Sequence, residues 1–262
     1  SYGKLIRQLK EKNQKLLILG LTATPYRMDD GLLYEGENAI FDSCCYDVSI
    51  STLMEQGFLC SLVTRGSAQK IDTSNLHTRM GDFDQRELQI VADDEKLTDY
   101  VVRDVIEKCA DRKHWIIFTT GVKHSSHVCK KLTELGVTNA SIDGSMDTET
   151  RERIIRDYKS GAIRCIVNCN VLTEGFDFPS IDALILLVST KSVNKYIQIM
   201  GRALRISPEK KDCLVLDYGE NVLRLGFITD VKIPAKGEKA EKKDVKECPK
   251  CHAILKIKDG EL

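Results

Sequence analysis

What this 262-residue chain lacks bounds it first. It has no net charge, because 39 basic residues balance 39 acidic ones. Charge therefore argues neither for nor against a nucleic-acid partner, and only local patches could. No apolar run reaches the length of a membrane-spanning helix, and the first residues carry no signal-peptide pattern. Aromatic residues are sparse, at 6%. Neither a G-x-x-x-x-G-K-[ST] phosphate loop nor an Asp-Glu-x-His box occurs. The ten cysteines follow no disulfide-like spacing. Cys44, Cys45, Cys60, Cys109, Cys129, Cys165, Cys169 and Cys213 sit in apolar segments and read as buried thiols of a reducing compartment. The chain opens on "SYGKLIRQLK" without a methionine and reads as a piece cut from something longer.

What is present has a rhythm. Residues 1–14 are helix-periodic, with Leu5, Ile6 and Leu9 on one face. "LLILGL" (16–21) reads as a buried strand running into "TATP". Between 32 and 94 the signals are weaker and read as a connector, with a strand and then a short helix opened by Ser51 or Thr52 and closed at Gly57. From 95 onward, helix patterns at 95–110, 122–136, 147–161 and 193–205 alternate with apolar strands at 114–120, 163–170, 181–189 and 212–219. A short strand in "TNASIDG" belongs to the same series. That alternation implies βαβ units: a parallel sheet with helices on both faces, three layers deep, over about 95–230. Residues 231–262 begin with a charged linker nearly free of apolar side chains.

Three constellations carry chemistry. In "QIMGRALR", helical spacing puts Gln198, Gly201, Arg202 and Arg205 on one face. Two planar, permanently charged forks beside a glycine suit the outer oxygens of a triphosphate. The competing reading is a solvated basic helix end. In "NVLTEGFDFPSID", Thr173, Gly175 and Asp177 fall in a turn after a strand, where open parallel sheets bind ligands. A hydroxyl, a bare backbone and a carboxylate there could serve a phosphate and a ribose, or form an ordinary polar loop. In "IIFTTGVKHS", Thr119, Thr120 and Gly121 stand at a helix N-terminus, which makes an anion site available, as every such junction does.

Taken in order, "GLTATP", "IIFTT", "DGSM…TRERIIRDYKSG", "TEGFD" and "QIMGRALR" resemble the C-terminal half of a superfamily 2 helicase, the family with two RecA-like domains. The resemblance covers about 16–225, and the wording is similar to the RadD group of bacterial DNA-repair helicases. It implies a fold, an ATP and magnesium requirement, and a nucleic-acid track. By position, Arg202 and Arg205 match the paired arginines, with Gln198 as the polar opening of their motif. Gly175 and Asp177 match positions near the nucleotide, and Thr22 and Thr24 match the coupling residues of the first domain. Thr120, Gly121, Lys123, His124 and Thr173 match positions along the nucleic acid. Ile199 stands where many relatives have arginine and gets no phosphate role. The resemblance implies that the phosphate loop and acidic box precede Thr22, so residues 1–31 are the end of a first domain and the fragment alone is inactive. It further implies a cytoplasmic bacterial or phage protein acting on single-stranded or branched DNA, with single-strand-binding protein as a partner. A non-catalytic nucleic-acid-binding module and the motor subunit of a restriction system are the alternatives.

Cys248-Pro-Lys-Cys251 has zinc-knuckle spacing, which fits half of a zinc ribbon or a flexible thiol pair. His77, His114, His124 and His127 show no metal spacing, and His124 and His127 read as solvated.

Overall fold

The computed structural model describes residues 2–27, 31–37, 39–169, 177–231 and 244–257. The chain divides into two units, residues 1–48 with 232–241 and residues 49–231 with 242–262.

The smaller unit holds helix α1 (Tyr2–Lys12) and an antiparallel pair of short strands, β1 (Tyr26–Arg27) and β2 (Gly31–Leu32). The Pro25 carbonyl accepts from Leu33 N–H at 2.8 Å, closing that turn. The run 16–21 departs from expectation: it forms no strand, and Leu17 and Leu21 are 94% and 91% exposed. A buried strand needs partners on both edges and cover on both faces. The described residues of this unit supply only one helix and a hairpin of two short strands.

The larger unit opens with α2 (Ile50–Glu55), whose N-cap is Ser49 rather than Ser51 or Thr52. Then follow β3 (Leu62–Arg65), the hairpin strands β4 (Thr78–Arg79) and β5 (Asp82–Phe83), α3 (Gln85–Ala92) and α4 (Glu95–Lys108). The alternating part comprises β6 (Trp115–Phe118), α5 (Val122–Glu134), β7 (Asn139–Ile142), α6 (Thr148–Lys159), β8 (Cys165–Asn168), β9 (Ala183–Leu186), α7 (Val193–Ala203) and β10 (Cys213–Asp217). Helix α8 (Asn221–Leu225) and a last hairpin, β11 (Val245–Glu247) with β12 (Ile254–Lys256), complete it.

Six strands pair in the order β3-β10-β9-β6-β8-β7, all parallel. The apolar runs of the four central strands, β10, β9, β6 and β8, are buried on both faces, as an all-parallel sheet requires. Trp115, Ile117, Val167, Ile185 and Leu216 face one way, into a core shared with Leu88 of α3, Val101 and Val105 of α4, and Val128 and Leu132 of α5. The alternate residues Ile116, Ile166, Leu184 and Val215 are buried on the opposite face, where α6 and α7 contribute Tyr158, Tyr196, Ile199 and Met200. Each fully buried aliphatic side chain contributes about 1.5–3 kcal/mol of transfer free energy. Aspartates cap the helices on that scaffold: Asp94, Asp84 and Asp147 accept from first-turn N–H groups of α4, α3 and α6.

The expected three-layer RecA-like architecture is therefore present. The sheet also takes an edge strand, β3, from the segment read as a connector. No helix among the described residues is long and apolar enough to cross a membrane.

Candidate nucleotide site and nucleic-acid interface

Helix α7 begins at Ser192, whose hydroxyl accepts from Lys195 N–H at 3.3 Å. Val193, Tyr196, Ile199, Met200 and Ala203 are buried and anchor it to the sheet. Ile199 thus serves the core. Gln198 is half-buried and Arg202 is only 7% exposed. The helix ends at Ala203, so Arg205 lies beyond it and not on its face.

Sequence reasoning missed how that end is held. The Ala203 carbonyl accepts from Lys210 Nζ at 2.7 Å and from the Cys60 thiol at 3.0 Å. The Leu204 carbonyl accepts from Cys60 N–H at 2.7 Å, and the Arg205 carbonyl from Lys210 Nζ at 2.9 Å. A helix end leaves its last carbonyls without intrahelical donors. A lysine and an edge segment 143 residues away in sequence fill that need. Arg205 leaves this capped end, and its Nη1 meets Asp177 Oδ1 at 2.6 Å. Asp177 and Arg205, expected as separate nucleotide contacts, thus form one ion pair. Thr173 and Gly175 lie outside the described residues.

The β6–α5 junction is packed, not open. Thr119 and Ser125 hydroxyls meet at 2.6 Å, and Thr120 Oγ1 meets His124 Nδ1 at 3.0 Å. His124 is 1% exposed, which corrects its reading as solvated. Burial pushes its pKa down to about 4, and its Nε2 has no hydrogen-bond partner among the described residues. The ring is therefore neutral near pH 7. Gly121 is the helix N-cap and, having no side chain, gives the first-turn N–H groups no side-chain cap. A Cβ there would come within 3.0 Å of Gln89 of α3. Of Thr120, Gly121, Lys123 and His124, only Lys123 is exposed. His127 is exposed too, paired with Asp93 at 2.7 Å.

A second set of buried polar groups ties the C-terminal ends of β9 and β10. Asn221 donates to the Val188 carbonyl at 2.7 Å and accepts from Thr190 N–H at 2.9 Å. Asp217 accepts from Val222 N–H at 2.7 Å and from Asn221 Nδ2 at 2.9 Å. Burial raises the Asp217 pKa, and these donors oppose that rise.

In the smaller unit, Thr24 N–H donates to Thr22 Oγ1 at 3.0 Å, a local turn bond. In the last hairpin, Cys248 is half-buried and Cys251 exposed. Backbone N–H groups of Cys251, then Lys250, hold the Cys248 thiol below its usual pKa. His252 is bonded to Glu247 at 2.7 Å, and Glu247 also meets Lys70 at 2.8 Å. No group of three or more metal-capable side chains gathers among the described residues. Two thiols alone do not fit a structural zinc site.

A parallel sheet covered by helices on both faces is the RecA-like architecture, and Arg205 leaves the capped end of α7 within it. Residues 95–207 match the helicase conserved C-terminal domain. The chain is 29% identical over 233 residues to irc3 of Schizosaccharomyces pombe, provisionally named a mitochondrial ATP-dependent helicase; the match spans 88% of this chain and 38% of that protein. It is 26% identical over 247 residues to a 51.5 kDa protein of a Lactococcus phage, spanning 90% of this chain and 52% of that one. It thus spans only part of the length of these relatives. A fragment provisionally assigned as the HsdR subunit of a type I restriction enzyme from Vibrio vulnificus shares the fold, with a TM-score of 0.65 at 18% identity, over 88% of this chain and 45% of that one. Over the matched residues the chain is similar to the C-terminal half of superfamily 2 helicases.

Proposed function

We propose that this chain is the second motor domain of an ATP-dependent helicase or translocase that acts on single-stranded or branched DNA in repair. Arg205 and Arg202 supply positive charge to the outer phosphates of ATP, and Gln198 adds a neutral amide beside them. Asp177 and Gly175 border the nucleotide. Lys123 and the first-turn N–H groups at Gly121 take backbone phosphates, while buried Thr120 and His124 shape that loop and Thr173 extends the track. Thr22 and Thr24 couple the two events. The observation that carries this reading is the Arg205–Asp177 pair at the capped end of α7, within a domain that matches the helicase family. A permanently charged fork held by a carboxylate at a strand-end loop suits a spreading phosphoryl charge.

Magnesium would accompany ATP and neutralise its phosphates. The described residues here gather no acidic set that fits it. We infer that its ligands and the phosphate loop belong to a preceding domain of a longer protein, and that this fragment alone does not turn over ATP. The exposed leucines at 17, 19 and 21 support that inference, since they offer apolar surface to a neighbour.

The test is ATP hydrolysis by that longer protein, with and without single-stranded or duplex DNA. Arg205→Ala should lower DNA-stimulated turnover by about 10³-fold or more if the guanidinium acts as a charge-stabilising finger. Turnover that ignores both DNA and Arg205 would replace this reading with a binding module that has no motor.

A further inference from the structure

The β4–β5 hairpin is not accounted for by the site above. Thr78 pairs with Phe83 and Arg79 with Asp82, which leaves Met80-Gly81 as a two-residue turn. Both turn residues have positive φ, 50° and 79°. Turns of this hand favour asparagine or aspartate followed by glycine. Methionine breaks that preference. Packing does not compensate, because Met80 is 85% exposed. A residue that violates its local rule with no structural gain marks a functional position.

The hairpin is also mounted firmly. Asp82 accepts from Thr190 Oγ1 at 2.7 Å, from Lys191 N–H at 2.7 Å and from Phe83 N–H at 2.8 Å. Phe83 is buried, with Lys191 Nζ 4.5 Å and the Arg224 guanidinium 5.0 Å from its ring centre. Residues 190–191 follow β9, so the hairpin stands at the C-terminal ends of the parallel strands, where such sheets bind ligands. Helix α3, which follows the hairpin, meets Gly121 of the β6–α5 junction through Gln89.

The nearby acids are spent internally. Besides Asp82, Asp84 caps α3 by accepting from Arg86 N–H at 2.9 Å, and Glu87 accepts from His77 N–H at 2.7 Å. Arg79 and Arg86 are exposed, and both act electrostatically on Asp84 from beyond direct salt-bridge contact. The tip therefore offers a flexible apolar side chain next to the exposed cation Arg79. That combination suits a nucleic-acid strand: apolar side chains lie against or between bases, and arginines hold phosphates.

We propose that the β4–β5 hairpin is a nucleic-acid-contacting finger, in which Met80 lies on the face of an unpaired base and Arg79 holds the adjoining phosphate. The proposal rests on the helicase reading and assigns it a contact. It is tested by fluorescence anisotropy of a labelled oligothymidylate and a blunt duplex across a salt series. The proteins compared are the full chain, Met80→Asn, Arg79→Ala and the remote control Lys256→Ala. Asparagine fits the turn better, so Met80→Asn should keep or raise the thermal midpoint while weakening single-strand binding about tenfold and duplex binding less. Arg79→Ala should weaken both ligands and lower the salt slope by about one. If both variants bind like the unaltered chain while that chain binds DNA, the finger is refuted and the helicase reading stands. If the unaltered chain binds neither ligand, the finger and the proposed nucleic-acid track fall together.

Discussion

Acid should destabilise the larger unit through His124, and the size of the effect follows from its burial. In the unfolded chain the imidazole takes a proton below its ordinary pKa of 6.5; in the folded protein it does so only near 4. Between those values the unfolded state holds more protons, so stability is full above about pH 6.5 and falls as pH drops through the window. The whole window is worth roughly 3 kcal/mol, and roughly 2 kcal/mol is already lost at pH 5. The perturbation that isolates this is His124→Asn, whose short amide can still reach Thr120 Oγ1 but does not titrate in this range. Urea unfolding at pH 7 and pH 5 is the assay. Trp115, the only tryptophan of the chain, is fully buried in β6 and reports on this unit. The unaltered chain should lose roughly 2 kcal/mol more than the variant between the two pH values. Burial also lowers the pKa of His114, but His114 is present in both proteins and cancels. Equal losses in the two proteins would show that His124 is protonated or solvated in the native state, which would refute its buried placement.

Two further outcomes follow from the geometry. Lys210→Met removes the charged donor from the Ala203 and Arg205 carbonyls, and should cost about 1–3 kcal/mol in denaturant unfolding. On the helicase reading, it should also lower DNA-stimulated turnover of the longer protein with little change in KM for ATP, and Lys210→Arg should recover most of it. Arg164 donates to the carbonyls of Cys109, Ala110 and Arg112 and lies 4.3 Å from the Trp115 ring centre. Arg164→Met should therefore cost about 2–4 kcal/mol and lower the thermal midpoint by on the order of 10 °C.

Where periodicity is strong, the fold was legible. Strands such as "WIIF" and "ALIL" lie within the expected apolar runs, and α6, capped by Asp147, lies within the helix pattern read at 147–161. These signals are local, because a capping aspartate or a fully buried run is set by its near neighbours. The failures are equally physical. "LLILGL" is as apolar as those strands, yet Leu17 and Leu21 are exposed, because burial also requires a partner that this unit's described residues do not supply. Strand β3 escaped notice because its burial pattern is mixed; its place comes from pairing with β10, some 150 residues later.

The candidate site divides along the same line. Residue type and spacing picked Arg202, Arg205 and Asp177 as candidates, and the structure brings Arg205 and Asp177 together as an ion pair. Spacing alone placed Arg205 on a helical face, whereas the helix stops at Ala203 and the side chain leaves from a turn held by Lys210 and Cys60. Neither residue carries a motif, because a cap made across the fold leaves no periodic trace in either segment. Helix propensity at 193–203 cannot decide where Arg205 points; the donors on the last carbonyls do. The Asp177 pair therefore contributes to an orientation that α7 by itself leaves open.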